Sequence, residues 1–429
     1  MTLDEFAAAF TLTATEKQFL ADHHFDAAMA SFHGCPGFAH QDFYEPLLAR
    51  LSRHGDPLKA LLGPVTAQIR ADERLQKLCH LIHYLWYSGQ EDIPGYTSPL
   101  PKPDTLLGDQ SGLVNFLIAL SAYPLWREAY AKLGVPATYA DACLQYFDGA
   151  VDEYRSGHNG VYGLAASKLN WIRFYVRGKL FRLGRFEYML QEPLASLPAV
   201  YRDQTNGRLV ALCRPDWRLR PDGLLQWRDE DPAAARLVTR LENSPTSVKG
   251  TPIDPRGFAL VNQTVELDRK RYAPLFAPWD LVPGLHIPGG GGMTPDLCAD
   301  SFRQAKAFFR RYFQRDIPAV SCFSWIFNPD FEAELPESNL ARLMREVYLF
   351  PYPSSGVEGL QFVFGRSDAE WSAYPRDNSL RQAFHRIRES GRRLKAGGMI
   401  IDEQGIRNYG TQHYRRRPVS EAASESLQS

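Results

Sequence analysis

The 429-residue sequence has no charge excess, no closely spaced cysteines and no long apolar run. Its 49 basic residues balance 49 acidic ones, whereas nucleic-acid and membrane-surface proteins usually carry a clear basic excess. A basic cluster at 386–395 is expected to be a solvated helix face. No stretch approaches the ~20 apolar residues of a membrane span. We therefore expect neither nucleic acid nor a membrane as a partner.

The six cysteines are too scattered to form a CxxC motif, so the sequence predicts no metal site and no redox pair. Scattered cysteines and the lack of a signal-peptide pattern after Met1 are typical of a cytoplasmic protein. Two nucleotide-binding motifs and one catalytic motif are also missing. The sequence has no P-loop ending in Gly-Lys-Ser/Thr, no Gly-x-Ser-x-Gly elbow and no Gly-x-Gly-x-x-Gly, because position 294 is Thr.

What the chain does have is a run of four glycines between a short apolar segment and a helical pattern. Thr294 stands where a helix N-cap belongs, Pro295 takes the first helical position, and Asp296 lies in the first turn. This order predicts a strand, a glycine loop and a helix over 295–313. Backbone N–H groups and the helix dipole would then favour a phosphate or pyrophosphate. The alternative is that the glycines only form a tight turn.

Hydrophobic periodicity divides the chain into three parts. Residues 1–157 have the spacing of helices, residues 158–410 alternate between strand and helix patterns, and residues 411–429 have the composition of a disordered tail. Early strands followed by alternating strands and helices indicate an α+β domain with a mixed sheet. The strands are expected at 185–190, 209–214, 223–227, 258–267, 281–287, 319–327, 360–365 and 397–402.

Several segments resemble one bacterial acyltransferase family, which has a helical N-terminal domain and a GNAT-like C-terminal domain. These segments are Leu285-His-Ile-Pro-Gly-Gly-Gly-Gly-Met-Thr, Ser301-Phe-Arg-Gln-Ala, Ser321-Cys-Phe-Ser-Trp-Ile-Phe-Asn-Pro, Tyr374-Pro-Arg-Asp-Asn-Ser-Leu-Arg-Gln-Ala and Leu113-Val-Asn-Phe-Leu-Ile-Ala-Leu-Ser.

The resemblance implies transfer of an acyl group from acyl-CoA (acetyl-CoA or longer) to an amine or hydroxyl of a small-molecule or peptide acceptor, without a metal. The loop lacks the usual Gln/Arg-x-x-Gly-x-Gly/Ala motif. The alternative is therefore a binding protein that keeps the GNAT fold and has lost acyl-CoA chemistry.

The resemblance also assigns site residues. His286 would act as the general base, or it is a hydrogen-bonded structural histidine. Ser324 would donate to the leaving sulfur and Trp325 would line the acceptor pocket, or both are packing residues of a buried strand. Glu187 and Glu266 are alternative bases, and Cys322 is expected to be a buried thiol. His80 and His83 share a helix face but lack a third metal ligand. The cofactor would contact Leu285, Gly289, Gly290, Gly291, Gly292, Met293 and Thr294.

Overall fold

The computed structural model describes residues 1–88, 99, 107–190 and 196–416, which form two compact units. The first unit contains Met1–Arg182 together with Pro288–Gly290, and the second contains Leu183–Ile287 and Gly291–Ser429. The sequence also predicts a loop at 89–104, a stretch rich in proline and glycine. Except for position 99 this stretch lies outside the described residues, and so do residues 417–429 of the expected tail.

The described part of the first unit is built mainly from helices whose starts are encoded locally. Thr2 with Glu5, and Thr13 with Glu16, form capping boxes that satisfy the first N–H groups of two helices. The helices are α1 (Leu3–Ala9), α2 (Ala14–Asp22), α3 (Phe25–Ala30), α4 (Gln41–Leu48), α5 (Gly55–Ala71), α6 (Glu73–Tyr87), α7 (Ser111–Ser121), α8 (Tyr123–Lys132), α9 (Ala137–Cys143), α10 (Tyr146–Gly157) and α11 (Ser167–Val176).

Helix α7 lies in the core of this unit, because nearly all of its residues from Gly112 to Ser121 are buried. Large aromatic side chains pack around it, among them Phe116 against Phe147 at 5.2 Å between ring centroids. Burying such rings contributes most of the hydrophobic stabilisation of a helical unit. The expected boundary at residue 157 falls between α10 and α11, both of which belong to the first unit.

A six-stranded sheet forms the centre of the second unit, and its edge strand β1 crosses the boundary between the units. Its order is β1-β2-β13-β14-β16-β15. The β13–β14 pair is parallel, and the β2–β13, β14–β16 and β15–β16 pairs are antiparallel. The strands are β1 (Leu180–Leu183), β2 (Phe186–Met189), β13 (Gly284–His286), β14 (Ala319–Ser324), β15 (Tyr348–Pro351) and β16 (Gly397–Asp402).

Smaller sheets fill the chain between β2 and β13. A five-stranded sheet has the order β10-β9-β4-β3-β12, a three-stranded sheet the order β11-β8-β7, and β5 pairs with β6. The strands are β3 (Ala199–Asp203), β4 (Leu209–Leu212), β5 (Arg218–Leu219), β6 (Leu237–Val238), β7 (Leu241–Asn243), β8 (Ser247–Gly250), β9 (Pro252–Asp254), β10 (Phe258–Ala259), β11 (Val265–Asp268) and β12 (Tyr272–Pro274).

The two faces of the central sheet are covered by different elements. Helix α12 (Pro295–Phe313) packs on one face, where Tyr188 Oη lies 3.0 Å from Ser301 Oγ. The five-stranded sheet packs on the other, where Ala211 N–H donates to Tyr348 Oη at 3.3 Å. The remaining helices are α13 (Phe331–Glu334), α14 (Asn339–Glu346), α15 (Leu360–Phe364), α16 (Ser379–Glu389) and α17 (Glu403–Arg407).

The α+β fold class predicted from the sequence is confirmed, with a helical N-terminal region followed by a mixed sheet. One predicted strand is wrong: 360–365 forms helix α15, entered and left through Gly359 and Gly365 at positive φ. Others are shorter than expected: 258–267 divides into β10 and β11, 223–227 contributes only an isolated bridge at Leu225, 281–287 contains only the three residues of β13, and 319–327 ends as a strand at Ser324. Of the expected tail, Tyr414 is buried and donates to Asp402 Oδ1 at 2.6 Å.

Candidate functional site

Strands β13 and β14 pair at only one position. Gly284 lies opposite Ser321, and Ser321 N–H donates to Pro283 O at 3.0 Å. On its other side β13 pairs with β2 over three residues. Within the described residues the ladder between β13 and β14 ends there, although β14 continues to Ser324. The sheet therefore splits between these two strands, just before the chain enters the glycine loop.

The glycine loop has an open, partly left-handed backbone. Gly290 and Gly291 have φ values of +75° and +73°, which glycine adopts without the steric cost of a Cβ atom. All four glycines are exposed. In the part of the chain that the structure describes, no group accepts a hydrogen bond from the N–H groups of residues 289–293. These amides are available to an anion.

The helix start after the loop is as predicted. Thr294 has extended backbone angles and its hydroxyl accepts a hydrogen bond from Leu297 N–H at 3.5 Å. Pro295 and Asp296 occupy the first turn of α12. The partial positive charge of this helix N-terminus therefore lies at the end of the glycine loop.

Arg185 fixes the orientation of the loop, a role that the sequence did not reveal. Its Nε donates to Gly292 O at 3.0 Å and its Nη2 to Gly291 O at 3.3 Å. Because C=O and the following N–H point in opposite directions across a trans peptide, the N–H groups of Gly292 and Met293 point away from Arg185. The guanidinium thereby keeps the carbonyl oxygens of Gly291 and Gly292 on one side of the loop. An anion would bind on the other side, where the N–H groups point.

Within the first unit, the start of the loop contacts two residues that sequence reasoning missed. A Cβ atom on Gly149 would come within 2.8 Å of Gly289 O, and one on Gly290 within 2.7 Å of Arg53 Nη2. Arg53 is itself bound to Asp152. A glycine inside a helix lowers its stability by about 1 kcal/mol relative to alanine. The presence of Gly149 inside helix α10 was therefore the one signal in the sequence that another segment of backbone packs closely there.

His286 and Glu187 lie directly opposite each other on β13 and β2. Opposed residues project from the same face of a sheet, with Cβ atoms roughly 5 Å apart. Glu187 is only 1% exposed. Burial lowers the pKa of His286 to about 4, so its imidazole is neutral at pH 7. The structure thus brings together the proposed base and one of its two alternatives.

The other alternative base lies elsewhere. Glu266 is exposed on β11 of the three-stranded sheet, and its Oε1 accepts a hydrogen bond from Ser247 Oγ at 2.6 Å. That sheet contains neither β13 nor β14. Glu266 is therefore a solvated strand residue.

Ser324 does not lie on the His286 face, and Trp325 follows the end of β14. Ser321 pairs with Gly284, so the side chains of Ser321 and His286 lie on the same face of the sheet. Ser324 is three residues after Ser321, and because side chains alternate along a strand, Ser324 lies on the opposite face, together with Leu285. The Ser324 hydroxyl caps a short 3-10 turn by accepting from Ile326 N–H at 3.4 Å. Trp325 packs against Phe331 and Phe384.

The remaining candidates have structural roles. Cys322 is buried, which raises the pKa of its thiol. His80 Nε2 lies 2.9 Å from Ala28 O, and His83 Nδ1 lies 2.7 Å from Ser121 Oγ. Among the described residues, no group of three or more His, Cys, Asp or Glu side chains is arranged to hold a metal ion.

Four of the basic residues at 386–395 form ion pairs, and Arg388 lies over the Trp371 ring. Arg386 and Arg392 both bind Glu334, and Lys395 binds Asp330 at 2.6 Å. Within the described ranges, no helix combines the length and apolar character needed to cross a membrane.

Comparison with known proteins identifies the class. A split mixed sheet followed by an exposed loop and a helix N-terminus is the arrangement expected of a GNAT-like acyltransferase domain. The family described as GNAT-like C-terminal domain matches residues 180–403, just over half of the chain, and the protein belongs to this family. No curated protein matches the chain significantly.

Solved structures with the same fold cover 94% of this chain and 99% of their own. One is an acyltransferase in complex with CoA and 10C-teicoplanin, with a TM-score of 0.61 and 18% identity. Another is a mutant acyltransferase in complex with octanoyl-CoA, with a TM-score of 0.60 and 17% identity. A third is an acyltransferase in complex with decanoyl-CoA, with a TM-score of 0.57 and 19% identity. At this identity the likeness shows the fold.

Proposed function

We propose that this protein is an acyl-CoA-dependent acyltransferase that acylates an amine or hydroxyl of a small-molecule or peptide acceptor. The observation that carries the proposal is the split of β13 from β14 directly before a glycine loop with unpaired, exposed amides. The similar structures, solved with CoA, octanoyl-CoA or decanoyl-CoA, support it. The cytoplasmic location expected from the scattered cysteines is part of the proposal.

The position of the loop gives the direction of the bound acyl-CoA. The pyrophosphate would accept hydrogen bonds from the amides of residues 289–294 and lie at the N-terminus of α12. The pantetheine arm would run from the loop along Ile287, His286 and Leu285 toward Gly284. In that cleft the amides of the pantetheine arm would form the backbone hydrogen bonds that β13 and β14 do not make with each other beyond Gly284 and Ser321.

The reaction needs a base for the acceptor and a stabilised oxyanion. The neutral His286 imidazole would take the proton as the acceptor oxygen or nitrogen attacks the thioester carbonyl. Backbone N–H groups of β13 near Leu285 and His286 would stabilise the oxyanion, and the C–S bond would then break to release CoA thiolate. Glu187, opposite His286, would orient the imidazole or serve as the base itself. Ser324 caps a turn on the opposite face, so its hydroxyl would not protonate the leaving sulfur.

Isothermal titration calorimetry with CoA, acetyl-CoA, octanoyl-CoA and decanoyl-CoA tests the proposal. We expect at least one of these four ligands to bind. A further titration with desulfo-CoA, which lacks the thiol, would measure how much of the affinity comes from the nucleotide and pyrophosphate. Silence of all four ligands at millimolar concentration would overturn the proposal. Binding without transfer to any amine or hydroxyl acceptor would instead favour a binding protein that has lost acyl-CoA chemistry.

A further inference from the structure

Ser321 is a buried hydroxyl without a hydrogen-bond partner. The residue is 1% exposed, and no described group lies within hydrogen-bonding distance and geometry of its Oγ. Buried hydroxyls nearly always have a partner, because leaving one unsatisfied forfeits its hydrogen bonds to water. Replacing it with an apolar group would therefore be neutral or stabilising for the fold. Its place in the sheet suggests what satisfies it.

Ser321 lies at the closed end of the split in the sheet. It is the last residue of β14 that pairs with β13, and the residue opposite it, Gly284, has no side chain. The parallel register puts Ser321 on the same face as His286, and β16 places Ile400 beside it on that face. The hydroxyl therefore stands between a glycine and an aliphatic side chain, where neither neighbour can satisfy it.

The proposed path of acyl-CoA brings its thioester to this point. Five residues separate Gly289 from Gly284, which corresponds to roughly 16 Å of extended chain. A pyrophosphate at the loop and a pantetheine arm along β13 would therefore put the thioester near the closed end. The thioester carbonyl is the strong hydrogen-bond acceptor at that end of the molecule, since the acyl chain beyond it has none.

We propose that Ser321 Oγ–H donates a hydrogen bond to the thioester carbonyl oxygen of bound acyl-CoA, an inference that rests on the proposed function. The bond holds the carbonyl at a fixed depth in the cleft. It strengthens as the oxygen gains negative charge in the tetrahedral intermediate, so it stabilises the transition state more than the bound substrate. Ser321 would then act together with the backbone amides of β13.

Ser321 and Ser324 form a matched pair for the test. The two serines are three residues apart on one strand, and the register puts their side chains on opposite faces, with the Ser324 hydroxyl committed to Ile326 N–H. Infrared difference spectra would be recorded for decanoyl-CoA labelled isotopically at the thioester carbonyl carbon, bound to the wild type, Ser321→Ala, Ser321→Cys and Ser324→Ala. The readout needs no acceptor and no turnover.

We expect the carbonyl band to move to lower wavenumber on binding to the wild type and to Ser324→Ala. The shift should be clearly smaller in Ser321→Ala, where only the backbone amides of β13 remain as donors, and intermediate in Ser321→Cys, whose thiol is a weak donor. The unliganded Ser321→Ala variant should melt at or above the wild-type temperature. In acyl transfer its kcat should fall roughly 10²-fold or more, with little change in KM.

The outcomes separate this inference from the proposed function. If calorimetry detects no acyl-CoA binding to the wild type, the proposed function fails and Ser321 has no thioester to contact. If decanoyl-CoA binds and the carbonyl band is the same in the wild type and Ser321→Ala, acyl-CoA binding stands and the role of Ser321 is refuted. An equal loss of the shift in Ser324→Ala would also refute it.

Discussion

At the scale of single residues, His286 shows how burial selects a protonation state. Its Nε2 is buried, and desolvation lowers the pKa of the side chain to about 4 from a usual 6.5. Because desolvation disfavours the charged form, the folded protein holds a neutral imidazole at neutral pH. A neutral imidazole can accept a proton from an acceptor hydroxyl or ammonium without first losing one.

The variant His286→Gln tests this role in two ways. Its turnover should fall by roughly 10²–10⁴, the usual loss when a general base is removed, while its affinity for CoA changes little. Turnover close to the wild-type value would place the base elsewhere, and Glu187→Gln would be the next variant because this carboxylate lies opposite His286.

The same variant should also change how stability depends on pH. The unfolded chain binds a proton at His286 below pH 6.5, whereas the folded protein binds it only near pH 4. Stability is therefore lost as the pH falls from 6.5 toward 4, by up to roughly 3 kcal/mol from this residue. Urea unfolding at pH 7 and pH 4.5 should show a smaller loss for His286→Gln than for the wild type. Equal losses in both proteins would contradict the burial argument.

At the scale of elements, the loop that carries the proposed anion site requires glycine for a conformational reason. Gly291 has φ of +73°, and a Cβ atom there would have 3.9 Å to its nearest neighbour, Arg185 Nε. Alanine would thus meet backbone strain without a protein clash. Gly391, which follows helix α16, has φ of +76° and open space around it, so it provides a strain-matched control far along the chain.

We expect Gly291→Ala and Gly391→Ala to lose a similar amount of stability, about 1 kcal/mol each, because both place a Cβ atom on a left-handed backbone. Only Gly291→Ala should also weaken CoA binding, by tenfold or more, since the methyl group would occupy the approach of the pyrophosphate to the amides. Thermal melts and calorimetry on both variants check this. If the two variants bind CoA equally well, the glycines only form a tight turn.

The elements that the sequence predicts best are those specified by neighbouring residues. The helix at 295–313 and its Thr294 cap both follow from local rules for helix starts. The strand predicted at 360–365 is wrong because a short apolar run, Leu-Gln-Phe-Val-Phe, has no clear period.

The features that could not be predicted depend on pairing between distant segments. Glu187 opposite His286, and Ser321 rather than Ser324 on the His286 face, are consequences of strand register. A shift of one residue reverses every side chain, and no local pattern fixes the partner of a three-residue strand such as β13. The carbonyl contacts of Arg185 with the loop cross more than 100 residues of sequence and leave no local signature.

At the scale of the whole molecule, charge and apolar surface determine how acyl-CoA can be recognised. The formal net charge is zero, so the chain as a whole exerts no long-range attraction on a polyanionic ligand. Under the proposed function, recognition of the nucleotide end would therefore be local, at the loop. The acyl end can add affinity only if the chain enters the cleft, because exposed apolar side chains such as Trp279 and Phe362, at 77% and 59% exposure, offer only weak, non-specific contacts.

The acyl chain length should therefore govern how strongly the ligand stabilises the protein. Each methylene buried in the cleft adds about 0.8 kcal/mol, or roughly a fourfold gain in affinity, and tighter binding raises Tm by mass action. In thermal melts at equal ligand concentration we expect Tm to rise from CoA to acetyl-, octanoyl- and decanoyl-CoA. Decanoate alone should give little or no rise, and decanoyl-CoA should raise the Tm of Gly291→Ala less than that of the wild type, since neither case retains the full anchor at the loop. Equal shifts for acetyl- and decanoyl-CoA would mean that the acyl chain stays in solvent, and a full shift with decanoate would assign the binding to exposed apolar surface instead of the split between β13 and β14.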